Sequence, residues 1–130
     1  MTALPTSPLL RRILRIDALA SGATGLLMVL VAEPLADLLQ MPAQLLFYAG
    51  LFLLPYAALL LWLARGERLP RAALWAVIAG NALWAAGCIA LAFGGWFAPS
   101  VFGIVFLVAQ AVVVGAFAEL QYVGLRRAAA

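Results

Sequence analysis

The sequence predicts an all-α polytopic membrane protein: four antiparallel transmembrane helices in one bundle, with both termini cytoplasmic. Three observations lead there. The chain is 68% hydrophobic and only 10% charged, whereas soluble domains hold nearer half apolar and a quarter charged residues. The apolar residues fall into four runs, at about 13–32, 43–64, 72–93 and 99–118, each close to the roughly 20 residues that a bilayer crossing needs. The arginines fall at alternate boundaries of those runs, and all eight cations are arginine.

The 130 residues are used up by four spans and short connections, so a single transmembrane domain over 1–130 is expected. Arg11, Arg12 and Arg15 precede the first run. Arg65, Arg68 and Arg71 separate the second from the third, and Arg126 and Arg127 follow the fourth. The connections around Glu33–Pro42 and Gly94–Pro99 hold none. Basic residues mark the cytoplasmic face, so this pattern predicts a multi-pass protein of the bacterial inner membrane. Membrane lipids are its expected partners, with either a second copy or a larger membrane complex. Nucleic acid is excluded, because no basic, aromatic-bearing soluble surface is available to hold it.

The first span opens at Arg11–Gly25, where three arginines give way to an apolar run. Ser7-Pro8 is an N-cap followed by proline at the first helical position, so the helix starts near Pro8 and the preceding residues form a tail without periodicity. The run is long for a signal peptide, Asp17 interrupts it, and Leu30-Val31-Ala32-Glu33-Pro34 lacks a small-x-small cleavage site, so the first span is expected to be uncleaved. Pro34 opens a short amphipathic helical turn in which Leu35, Leu38 and Leu39 share a face and Asp37 meets water.

In the second span, Phe47, Tyr48 and Trp62 occupy belt positions and Pro55 introduces a kink. Gly66 suits a helix C-cap and Pro70 the start of the next helix. Gly94 to Pro99 is a minimal hairpin, and the fourth span fades into Glu119-Leu120-Gln121-Tyr122.

Few residues are equipped for chemistry. There is no histidine and one cysteine, Cys88. Histidine-ligated metal or haem, an internal disulfide and a two-cysteine redox relay are therefore excluded. No phosphate loop, paired catalytic carboxylates or serine triad occurs, so no cofactor and no enzymatic activity are expected.

The embedded polar residues are Thr24, Asn81, Gln110 and, less centrally, Tyr56. Thr24 and Asn81 lie roughly 13–17 Å from the start of their spans at ~1.5 Å per residue, and Gln110 lies at a similar depth from the other side. The plainer reading is interhelical hydrogen bonding, worth about 1 kcal/mol or less each. The functional reading is the polar floor of a ligand pocket. Asp17, Ser21, Thr24 and Met28 share one face of the first span by their i, i+4, i+7, i+11 spacing. Asp17 either titrates during transport or, lying near the interface within reach of water, joins Arg12 or Arg15, Glu119 and Gln121 in a cluster pinning the first span to the fourth. Trp84, mid-span beside Asn81, is either a knob on a small-residue packing face with Gly80 and Gly87, or the aromatic wall of a ligand site. Gly22 and Gly25, with Ala18 and Ser21, give the first span a small-residue face of its own.

With Arg15-Ile-Asp17-Ala-Leu-Ala-Ser21-Gly22, Leu54-Pro55-Tyr56, Gly80-Asn81-Ala-Leu-Trp84 and Ala118-Glu119-Leu-Gln121-Tyr122 in view, the chain resembles small four-span bacterial membrane proteins that carry no assigned activity. The resemblance implies an inner membrane and no mechanism. The size also invites comparison with small multidrug-resistance exporters, whose hallmark is a glutamate well inside the first span; here the acid is Asp17, nearer the interface, and the connections are longer. Two function classes follow. One is a non-enzymatic accessory or self-associating membrane protein. The other is a small proton-coupled transporter or lipid-like ligand binder, with Asp17 as the titrating group and Tyr56, Asn81, Trp84 and Gln110 as its pocket.

Overall fold

A computed structural model describes residues 3–129. They form a short strand β1 (Ala3–Pro5), then α1 (Pro8–Leu30), α2 (Ala32–Leu39), α3 (Ala43–Arg65), a second short strand β2 (Arg68–Pro70), α4 (Arg71–Phe93) and α5 (Val101–Ala129). The described residues are all-α apart from the β1–β2 ribbon, and α1, α3, α4 and α5 are long and apolar enough to cross a membrane.

Local chemistry sets the ends of these elements. The Ser7 hydroxyl accepts from the Leu10 N–H at 3.2 Å, with Pro8 at the first position of α1, so one orphan donor of the first turn is paired and proline costs none. At the end of α3, Gly66 takes an extended conformation, and the Arg11 guanidinium donates to the carbonyls of Ala64 at 2.7 Å and Gly66 at 3.3 Å. A cation thus covers the negative end of that helix. Ser100 caps α5 through the Gly103 N–H at 3.2 Å and ties it to α2 by donating to the carbonyl of Leu38 at 2.7 Å.

Three departures from the expected elements have physical causes. The N-terminal tail is not structureless: β1 pairs antiparallel with β2, Leu4 opposite Leu69, and both leucines are buried. A three-residue strand is too short for periodicity to reveal, and its partner lies 65 positions away. The last helix continues past the span expected to 118 and runs on to Ala129. Glu119, Gln121 and Arg126 end the hydropathy signal, yet glutamate, glutamine and arginine are good helix formers. In α2, Ala36 and Leu39 are buried and Leu35 is half-buried while Leu38 is 51% exposed, so only part of the leucine face packs inward; Asp37 is exposed as expected.

The long helices associate unevenly. α1 packs along α3 and α4 along α5, the two pairs meet where α1 touches α5, and α3 and α4 are not closely packed. Gly25 and Gly50 make the α1–α3 approach feasible: a Cβ on Gly25 would lie 2.9 Å from the Gly50 carbonyl oxygen, and one on Gly50 would lie 2.7 Å from the Met28 Cβ. A Cβ on Gly124 of α5 would lie 2.8 Å from the Leu10 Cγ. Arg11 on Ala64, the β ribbon and Leu10 beside Gly124 bring the start of α1, the 65–71 turn and the end of α5 together. All eight arginines belong to these segments and lie toward one end of the molecule. The flanks of the long helices are apolar and uncovered, with Leu30 75% and Leu83 73% exposed.

Candidate functional site

All four long helices contribute to one polar centre. Asp17 of α1 is 0% exposed. Its Oδ1 accepts from the Ser21 hydroxyl at 3.0 Å. Its Oδ2 accepts from Asn81 Nδ2 of α4 at 2.8 Å and from Gln121 Nε2 of α5 at 2.7 Å. Asn81 Nδ2 also donates to Gln121 Oε1 at 2.9 Å, and the Tyr56 hydroxyl of α3 donates to Asn81 Oδ1 at 2.8 Å. The donors run Tyr56 to Asn81 to Asp17, with Gln121 and Ser21 converging on the same carboxylate.

This arrangement suits an acceptor-only carboxylate surrounded by neutral dipoles. Removing a charge from water is costly unless hydrogen bonds replace the hydration, and bonds to an ionised group are worth about 1.5–3 kcal/mol each. The centre also ties α4 and α5 to α1, and α3 to α4, where the backbones of α3 and α4 are not close.

Beside this centre lies a cavity of about 320 Å³ between the two helix pairs. Ser21 and Thr24 line it from α1, Phe52 and Tyr56 from α3, Asn81 and Trp84 from α4, and Gln110 with Val113 from α5. The Trp84 indole N–H donates to Gln110 Oε1 at 3.0 Å, forming a second polar tie between α4 and α5. Phe52 stacks toward Trp84 at 6.2 Å and toward Tyr56 at 6.1 Å, with interplanar angles of 12° and 17°. Three near-parallel rings therefore form one wall. A second apolar cleft, of about 450 Å³, continues past Trp84 along Cys88 and Leu91.

The residues singled out from the sequence divide as follows. Asp17, Ser21, Tyr56 and Asn81 meet in the polar centre; Thr24, Trp84 and Gln110 line the cavity beside it. Glu119 is exposed and stands outside both. The sequence sets both Glu119 and Gln121 beside Asp17, and only Gln121 is there: two residues apart on a helix point roughly 200° apart, and Gln121 shares the inner face with Leu107, Ala111, Ala118 and Leu125, all buried. Arg12 and Arg15 are likewise exposed. Asp17 itself is sealed rather than open to water, because α4 and α5 cover it with amide side chains. Trp84 is half-buried and engaged on both faces of that question, as a packing knob against Phe52 and as cavity lining, while Gly87 is exposed with open space at its Cα.

Among the described residues no group of three histidine, cysteine, aspartate or glutamate side chains converges. The site can enclose an apolar body and offer it neutral hydroxyl and amide groups. Comparison with family models, with curated proteins and with solved structures returned no match.

Proposed function

We propose that the chain is a multi-pass protein of a bacterial inner membrane that holds a lipid-like molecule between its two helix pairs. The membrane placement is supported by four crossing-length apolar helices and by their bare outer flanks, since water-soluble monomers do not leave such continuous apolar surface uncovered. The end that carries the arginines is the cytoplasmic one by the positive-inside rule, which puts both termini there.

The observation that carries the ligand reading is the cavity of about 320 Å³, which has apolar walls and ends at Ser21 and Asn81, both bonded to a buried carboxylate. Ligand sites are concave and mostly apolar, with few convergent polar groups, and an ionisable residue within a membrane helix marks function by default. Asp17, bonded to Ser21 and Asn81, is the residue on which a proton-coupled form of the same activity would depend. The test is native mass spectrometry of the protein extracted from its own membrane. Wild type should carry a small apolar adduct that Thr24→Phe, which fills the cavity, excludes. An adduct retained equally by both proteins, or absent from both, rejects the reading.

One observation favours a second reading, a non-enzymatic self-associating protein: Leu83, Ala86 and Gly87 form an exposed stretch of α4 with open space at Gly87, and small residues let helices approach closely in lipid. Cysteine cross-linking through Ala86→Cys in native membranes separates the two, giving a dimer only if this face meets its copy.

A further inference from the structure

At the arginine end, outside the cavity, a separate groove of about 440 Å³ runs between the end of α3 and β2, lined by Trp62, Leu63, Arg65, Gly66, Arg68 and Pro70. Two guanidinium groups line it, Arg65 and Arg68, and a third, Arg11 of α1, lies against the same turn. Arg65 is exposed on the last turn of α3. Arg68 is held by donating to the Ala3 carbonyl at 2.7 Å, so the β ribbon fixes its stem and one nitrogen. Arg11 lies against the carbonyls of Ala64 and Gly66, offsetting the negative helix end that would otherwise face the groove. The one carboxylate of the turn, Glu67, is exposed and does not line the groove.

We propose that this groove binds the phosphodiester headgroup of an anionic membrane phospholipid. Guanidinium forks match phosphate oxygens in pairs and are less strongly hydrated than ammonium. Trp62, 66% exposed, stands where the apolar flank of α3 meets the arginines, the depth at which tryptophan borders headgroups. Above it, Leu59 and Leu51 are exposed on α3, which gives the acyl chains an apolar track continuous with the groove. Headgroup and tail requirements therefore meet at one place. The proposal shares with the preceding reading only the placement in a bilayer and does not need the central cavity to be occupied.

The test is lipid retention in native mass spectrometry after exchange into detergent holding equal phosphatidylglycerol and phosphatidylcholine. Wild type should retain phosphatidylglycerol about thirtyfold better, the size expected when two arginines act near a headgroup. Arg65→Gln with Arg68→Gln should abolish that preference, whereas Arg126→Gln with Arg127→Gln, an equal loss of charge at the same end, should leave it within about twofold. Because Arg68 also braces the ribbon, Arg65→Gln alone is the second variant; it should lose about half of the preference on a logarithmic scale. Equal retention of the two lipids by wild type overturns the proposal, as does equal loss in both double variants, which would indicate diffuse charge attraction. Displacement of phosphatidylglycerol by millimolar inorganic phosphate would reassign the groove to a soluble anion and overturn the lipid assignment.

Discussion

Gln121 donates to Asp17 across 104 positions of sequence, at 2.7 Å, and both side chains are fully buried. This bond joins the first long helix to the last, and its value depends on the charge it serves. Removing the donor leaves a buried carboxylate short of one partner, so Gln121→Leu should destabilise the protein by about 2 kcal/mol. In an Asp17→Asn background the same change should cost less than half as much, because no charge is left exposed to the deficit. A double-mutant cycle of unfolding in mixed micelles measures this. Additive effects would show that the two residues are not coupled.

A contrast among glycines tests the packing of the helix pairs. At Gly50 an added methyl would press on the Met28 Cβ and on the Gly25 carbonyl oxygen, at 2.7 and 2.8 Å. Gly50→Ala should therefore cost about 1–3 kcal/mol, the usual range for overpacking. Gly22→Ala meets only the Ala57 Cβ at 3.5 Å, and Gly87→Ala meets nothing within 4 Å. Both should stay within about 0.5 kcal/mol of wild type or gain slightly from helix propensity. Unfolding midpoints of the three variants give the order directly. Gly22 and Gly25 look alike in the sequence, and only the second lies at the closest approach to α3.

If Asp17 is the titrating group of the cavity, occupancy by the lipid-like ligand should change with pH in the wild type and be flat in Asp17→Asn. The groups facing Asp17 are Ser21 on its own helix, Asn81 on α4 and Gln121 on α5, with Tyr56 of α3 one bond further out. None of these carries a charge near neutrality, which leaves Asp17 as the group to follow. Fluorescence of Trp84, with Trp62, Trp75 and Trp96 changed to phenylalanine, reports occupancy because Trp84 lines the cavity. A pH profile unchanged by Asp17→Asn removes Asp17 from any coupling.

The four long helices were legible because each is an apolar run ended by arginine, proline or glycine, and both signals are local. The Asp17–Ser21 contact was legible for the same reason, as an i, i+4 pair on one helix face. What joins different helices was legible only in part: a tie from Asp17 to Gln121 was expected, whereas the particular partners of Asn81, Tyr56, Trp84 and Gln110 were not. The sequence left Asp17 within reach of water, since counting along one helix takes no account of the amides of Asn81 and Gln121 that other helices lay over it. The inward choice of Gln121 over Glu119 depends on the rotation of α5, which its nearly uniform apolar sequence leaves weakly marked until Leu107, Ala111, Ala118 and Leu125 are seen to be buried together. The pairing of Trp84 with Gln110 joins residues on facing helices, and no periodicity connects them.

Sidedness gives the last prediction. The eight arginines lie in segments that meet at one end, whereas Trp96, 69% exposed, sits in the opposite connection between α4 and α5. Moving arginine across a bilayer is far more costly than retaining it, so the arginine-bearing end should stay in the cytoplasm. In a Cys88→Ala background, Trp96→Cys should react with a membrane-impermeant maleimide added to intact cells. Glu67→Cys, in the exposed turn between Arg65 and Arg68, should react only after the cells are permeabilised. Labelling of Glu67→Cys in intact cells would invert the assigned orientation and place the phosphate groove on the outer leaflet. Labelling of both positions without permeabilisation would mean that the chain does not adopt one orientation, and neither assigned face would then hold.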